Sequence, residues 1–160
     1  MKLYYYFGIA VSVIILDLLT KEFAERYLSG KVIEVIPGFF NLVLVWNDGA
    51  AFGILADAPE VIRRLILVGS STIAAVITTF YVLKKHNILT VLEIISLSLI
   101  CGGAVGNLYD RLILGSVRDF LDFYISKHHW PAFNIADASI SIGIALFLFI
   151  ELFYKKKSKV

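Results

Sequence analysis

Four apolar stretches punctuate the chain, at roughly Tyr4–Thr20, Val61–Leu83, Ile88–Leu108 and Phe133–Tyr154. Each is close to the ~20 residues that a helix needs to cross the hydrocarbon core of a bilayer. An even number of spans returns both termini to one side. The first and third connections behave differently from the short second one. Between Lys21 and Glu60, the runs Val32-Ile33-Glu34-Val35-Ile36 and Phe39–Trp46 are rich in β-branched and aromatic residues, with Pro37-Gly38 between them and Asn47-Asp48-Gly49 closing them. That pattern predicts short strands joined by turns. The connection Tyr109–Pro131 mixes charge with Phe120, Phe123, Tyr124 and Trp130, a composition suited to the membrane interface. The expected fold is a membrane all-α one: four transmembrane helices with a small extracytoplasmic β-sheet, or cradle, at about residues 30–53 between helices 1 and 2. The whole of residues 1–160 reads as one integral membrane domain.

Composition agrees, with 59% hydrophobic residues, 18% charged and a mean hydropathy of +0.82. Lys2, Lys84-Lys85 and the tail lysines 155, 156, 157 and 159 sit in very short segments on one side, which the positive-inside rule makes cytoplasmic. Raw numbers decide less, because seven Lys/Arg fall on that side and eight on the other; density carries the assignment. Leu3–Leu19 follows Lys2 but leads into Asp17-Leu18-Leu19-Thr20-Lys21 without a small-residue cleavage site, so it reads as a retained signal anchor. The net charge of +2 shows no nucleic-acid stripe. The lone Cys101 and the three histidines have no metal-ligand spacing, so neither metal nor cofactor is expected.

Ionisable groups in or beside a span are expensive, so their placement carries information. Asp17 and Lys21 lie four apart near the outer end of the first helix and share a face. Gly103, Asn107, Asp110 and Arg111 form a stripe at the outer end of the third, and Asn134, Asp137 and Ser141 share a face of the fourth. Asp119 and Asp122 lie in the connection, on one face if that segment is helical. Only Glu93 and Glu151 fall near the opposite ends. Polar groups therefore converge at one membrane level. On residues alone, Asp110 with Asp137 is the carboxylate pair that the helix stripe favours, although Asp110 beside Arg111 also reads as a structural ion pair. The Gly102/Gly106 pair reads as close helix packing. Two other classes fit intramembrane carboxylates: a small proton-coupled transporter component, and a non-catalytic binder of signal peptides.

Five segments, in order along the chain, resemble one family. Asp17-Leu18-Leu19-Thr20-Lys21 looks like its D-x-x-T-K motif, and Asn47-Asp48-Gly49-Ala50-Ala51-Phe52-Gly53 like N-x-G-x-A-F-G. Gly102 to Arg111 resembles G-G-A-x-G-N-x-x-D-R, Val117-Arg118-Asp119-Phe120 resembles V-x-D-F, and Pro131 to Asp137 resembles P-A-F-N-x-A-D. The family is lipoprotein signal peptidase, or signal peptidase II. The resemblance implies a bacterial cytoplasmic-membrane aspartyl endopeptidase with Asp119 and Asp137 as its catalytic pair and its site near the extracytoplasmic face. It implies supporting or substrate-binding roles for Asp17, Lys21, Asn47, Gly49, Gly103, Asn107, Asp110, Arg111 and Asn134. Phe52 becomes a candidate apolar contact, or an anchor of the sheet in lipid. The implied substrate is a diacylglyceryl-modified prolipoprotein, cut on the N-terminal side of the lipidated cysteine. Membrane lipid is the other expected partner, and a monomer is expected.

Overall fold

The structure is a computed structural model, and it describes residues 1–49 and 59–154. Phe52, the rest of 50–58 and the lysine tail 155–160 lie outside the described residues. Among the described residues, four helices are long and apolar enough to cross a membrane. Helix α1 is Lys2–Leu28, α2 is Glu60–Lys85, α3 is Val91–Ile113, and α4 is Ile135–Phe149, continued by a π-helical turn at Ile150–Tyr154. Their large exposed apolar side chains, such as Leu19, Phe23, Ile73, Phe80 and Leu148, form a surface suited to lipid.

The buried residues of α1 are Tyr6, Ala10, Val13, Asp17, Lys21, Ala24 and Leu28. Spacings of three and four make them a single seam. Its first half is apolar and packs with Val82, Leu89, Ile94, Leu97 and Cys101 into the core of the bundle. Its middle is charged. Its last turn is apolar again, where Ala24 and Leu28 meet Phe120 and partly buried Leu42, Leu44 and Leu121 of the sheet. Helix α1 thus continues eight residues beyond the apolar run that ends at Thr20. An amphipathic turn with Glu22 and Arg26 outward, paired at 2.7 Å, is invisible to a search for uniformly apolar sequence.

Helix α3 is the central element, packed against all three others. Thr90 caps its start: its hydroxyl accepts the Glu93 N–H while Glu93 accepts the Thr90 N–H. Small residues let neighbours approach it. A side chain at Gly102 would strike the Ala10 carbonyl and Val13, one at Gly103 would strike the Ala136 carbonyl, and one at Gly106 would strike the Asp17 carboxylate.

The strands are β1 Ile33–Ile36, β2 Phe40–Asn47, β3 Val117–Ile125 and β4 His128–His129. They form one antiparallel sheet of 4 strands in the order β1-β2-β3-β4. The sheet therefore draws on both long connections. The segment read as an interfacial loop supplies β3, with Asn47 opposite Val117 and Asn41 opposite Asp122. Asp119 and Asp122 consequently do not share a helical face; three apart in a strand, they point to opposite sides. The strand pattern was hidden because Arg118, Asp119 and Asp122 are polar yet buried, which removes the usual alternation of apolar and polar residues.

Gly103→Ala puts a methyl group against backbone that cannot yield cheaply, and overpacking of this kind costs about 1–3 kcal/mol. A lowered unfolding temperature in detergent is the expected result, with no loss from the same change at Gly69, which has open space around it.

Candidate functional site

At the end of the bundle that carries the sheet, buried charges meet in one network. Lys21 is fully buried. Its Nζ lies 2.7 Å from Asp17 Oδ2 and 3.6 Å from Asp110 Oδ2, and it donates to Asn107 Oδ1 at 2.9 Å. Two carboxylates around one ammonium require a second cation, and Arg118 supplies it. Its Nη2 donates to Asp110 Oδ1 at 2.7 Å, while its Nε and backbone N–H both donate to Asp110 Oδ2. Asp110 thus pairs with Arg118 and Lys21 rather than with its sequence neighbour Arg111. Arg111 points elsewhere, donating to Ser71 Oγ of α2 at 3.0 Å. Asp17 Oδ1 accepts the Ala136 N–H at 2.9 Å, so the same cluster also holds the first turn of α4.

Two asparagines carry this order outward to the two aspartates. Asn107 donates to Asp137 Oδ1 at 2.7 Å. Asn134 Nδ2 donates to Asp119 Oδ1 at 2.6 Å and to Asn107 Oδ1 at 3.2 Å. Asn134 is also the N-cap of α4: its side chain accepts the Asp137 N–H, and Asp137 Oδ2 accepts the Asn134 N–H. Sequence spacing of this kind is a capping box, and here it orients one of the two candidate carboxylates. From β2, Asn47 donates to Asp119 Oδ2 at 2.8 Å. The Gly49 N–H donates to Asn47 Oδ1 at 3.0 Å, which fixes that amide with its NH2 toward the aspartate.

Asp119 is almost wholly buried, whereas Asp137 is partly open. Burial, followed by the charge of nearby Asp137, pushes the Asp119 carboxyl up to about 7 against the opposing pull of Asn47 and Asn134. Asp137, Asn47, Gly49 and Arg111 line a cavity of about 450 Å³. Its other wall is apolar, with Trp130, Pro131, Ala132 and Phe133 before α4 and Ile140 and Ile142 along it. Ser141 lies among them.

Of the candidates read from the sequence, Asp17, Lys21, Asn47, Asn107, Asp110, Asp119, Asn134 and Asp137 fall in this one network. Arg111 and Gly49 border its cavity, Gly103 lies beneath it against Ala136, and Phe52 is outside the described residues. Asp122 is separate, held by Asn41 at 3.0 Å and His129 at 2.8 Å. Sequence reasoning missed Ser71 as the partner of Arg111 and missed Arg118 altogether. For Arg118 the available signal was its position immediately before Asp119.

A protein-family model described as signal peptidase (SPase) II matches residues 9–153. A lipoprotein signal peptidase from Sulfurihydrogenibium sp. (strain YO3AOP1) is 67% identical over 98% of this chain and 96% of its own length. One from Aquifex aeolicus (strain VF5) is 49% identical over 94% of this chain and 87% of its own. A solved bacterial membrane enzyme is similar at 33% identity with a TM-score of 0.80, covering 97% of this chain and 91% of that one.

Titration of aspartate carboxyl carbons by NMR should show a group with a midpoint of about 7 that vanishes in Asp119→Asn and moves down in Asp137→Asn. The folded protein keeps this proton where the unfolded chain has lost it, so this carboxyl makes stability fall as the pH rises from 3.8 through about 7. Lys21→Met leaves buried carboxylates short of a cation and should destabilise the protein by about 3–5 kcal/mol. Thermal unfolding in detergent measures that loss.

Proposed function

This chain belongs to the signal peptidase II family, and from that premise we propose that it is an aspartyl endopeptidase whose catalytic pair is Asp119 and Asp137. The family is one of proteases that remove signal peptides from lipoproteins, and the chain is a multi-pass bacterial membrane protein. The observation that carries the finer reading is the joining of two carboxylates, from β3 and α4, through Asn107 and Asn134, with Asp137 of α4 on the wall of a largely apolar cavity.

Close carboxylates do not both ionise readily, so the pair shares one proton near neutral pH. The ionised carboxylate takes a proton from water as the water oxygen attacks the scissile carbonyl carbon. The protonated partner gives its proton to the carbonyl oxygen. Collapse of the tetrahedral species breaks the C–N bond, and the proton taken from water passes to the departing nitrogen. A hydroxyl of the gem-diol returns a proton to the other carboxylate, which leaves the carboxylic acid product and restores the singly protonated pair. The titration is a property of the coupled pair, and burial favours the proton on Asp119. Asn47 and Asn134 hold Asp119, and Asn107 holds Asp137, so the reacting groups are oriented before substrate arrives. Arg111, whose side chain borders the cavity, supplies a positive charge near both aspartates.

The substrate we propose is a diacylglyceryl-modified prolipoprotein, cut on the N-terminal side of the lipidated cysteine. The apolar wall formed by Trp130 to Phe133, Ile140 and Ile142 suits a signal peptide and acyl chains arriving through the bilayer. Topology supports a site at the extracytoplasmic face. Lys2 donates to the Leu89 carbonyl at 2.6 Å, which puts the N-terminus beside the short connection that follows Lys84 and Lys85 at the end of α2, at the end of the bundle away from the sheet. That lysine-rich end is the cytoplasmic one by charge.

Purified protein incubated with a diacylglyceryl-modified prolipoprotein and an unlipidated control tests this. Wild type should cleave the lipidated form, and Asp119→Asn and Asp137→Asn should each lose at least about 10²–10⁴-fold in kcat while remaining folded. Cleavage surviving Asp119→Asn but lost in Asp110→Asn would overturn the assignment of the pair. A folded wild type that binds the signal peptide without cutting it would instead indicate a binding protein.

A further inference from the structure

Arg118 occupies the open position of the V-x-D-F segment, yet its side chain is 5% exposed and makes more charged contacts than any neighbouring residue of β3 described above. Its guanidinium forks onto Asp110, its Nη1 donates to Glu25 Oε2 at 2.8 Å, and its own carbonyl accepts from Asn134 at 3.4 Å. Because Asp110 also accepts the Arg118 backbone N–H at 3.1 Å, one carboxylate of α3 grips both the main chain and the side chain of the residue before Asp119. A hydrogen-bonded and ion-paired path then runs from Arg118 through Asp110, Lys21 and Asn107 to Asp137.

Resting on the aspartyl peptidase reading, we infer that Arg118 is a positioning residue of the reaction: it fixes the main chain of β3 at Asp119 and completes the charge balance beneath the carboxylate pair. The balance is local. Asp17 and Lys21 of α1, Asp110 of α3 and Arg118 of β3 form two buried carboxylates and two buried cations. Around them stand Glu22 and Glu25 of α1, half-exposed, and Arg111 of α3, while Asn47 of β2 and Asp137 of α4 face Asp119, and Asp122 of β3 points away. Removing Arg118 leaves this wall one unit more negative and strengthens proton binding by Asp119. A lysine at the position keeps the charge but lacks the planar fork, so charge and geometry separate experimentally.

The test measures pH–rate profiles of full-length protein on the lipidated prolipoprotein for wild type, Arg118→Gln, Arg118→Lys and the double variant Arg118→Gln/Asp110→Asn. Arg118→Gln should lower kcat by about 10–100-fold, as loss of alignment does, with KM within about threefold of wild type. Its profile should move to higher pH by about half a unit to one unit. Arg118→Lys should keep the wild-type profile with a reduced kcat, and the double variant, which removes one charge of each sign, should move the profile back. A profile for Arg118→Gln that superimposes on wild type would overturn the inference, as would a double variant no nearer to wild type. If Arg118→Gln does not fold, Arg118→Lys decides alone: unchanged kcat overturns the positioning role. Failure of the enzyme reading itself would show separately, as wild type without cleavage or Asp119→Asn with it.

Discussion

An ammonium buried at membrane depth dictates much of this architecture. Removing a charge from water carries a penalty of several kcal/mol even after relaxation, so the Lys21 side chain is tolerable only where carboxylates surround it. Asp17, four residues earlier on α1, supplies one, and Asp110 of α3 supplies the other. Their excess negative charge calls in Arg118, and the free oxygen of Asp17 reaches the first turn of α4. One cation thereby sets the relation among two helices, the start of a third and the strand that runs between them. The glycines of α3 are the steric side of the same arrangement, since Gly106 leaves room for the Asp17 carboxylate and Gly103 for the backbone of α4.

The aspartates attached to this frame are held in unlike ways. Asp137 is both a helix cap and a cavity residue, so the backbone geometry that starts α4 also aims its carboxylate. Asp119 rides on a strand between β2 and β4 and is held by amides from β2 and from the α4 cap. Neither carboxylate is held directly by a long flexible side chain; short amides make the immediate contacts. Asparagine suits the connecting role because it accepts from a cation on one side and donates to a carboxylate on the other, as Asn107 does between Lys21 and Asp137. The difference in burial separates the two carboxyls, leaving Asp119 enclosed with a raised proton affinity and Asp137 at the cavity.

What surrounds the site is arranged for lipid. The outward faces of the helices are apolar, and the charged network is confined to one end, under a sheet whose inner side packs on the last turn of α1 through Leu28, Leu42 and Phe120. Aromatic contacts close the strand ends, with Phe123 stacked against Phe40 and Phe133. The segment Trp130 to Phe133 is tied to β3 by paired backbone hydrogen bonds between Leu121 and Phe133, and so forms a firm wall of the cavity.

The spans were legible in the sequence because a bilayer demands an unbroken apolar length, and that demand is met by residues near one another in the chain. The convergence of polar groups at one level was legible for the same reason, and the five motifs in order were enough to suggest the family. The extra turns of α1 were not, since Glu22 and Arg26 interrupt the apolar pattern while Ala24 and Leu28 continue the buried seam. Nor was the partner of Asp110: adjacent helical residues point about 100° apart, so Arg111 could not face it, and only strand pairing brings Arg118 there. Residues alone favoured Asp110 as the partner of Asp137, and the resemblance favoured Asp119 instead. Tertiary structure decided which carboxylate is neutralised by two cations and which meets Asn134 beside Asp137, because those contacts join elements far apart in the chain whose register no local pattern encodes.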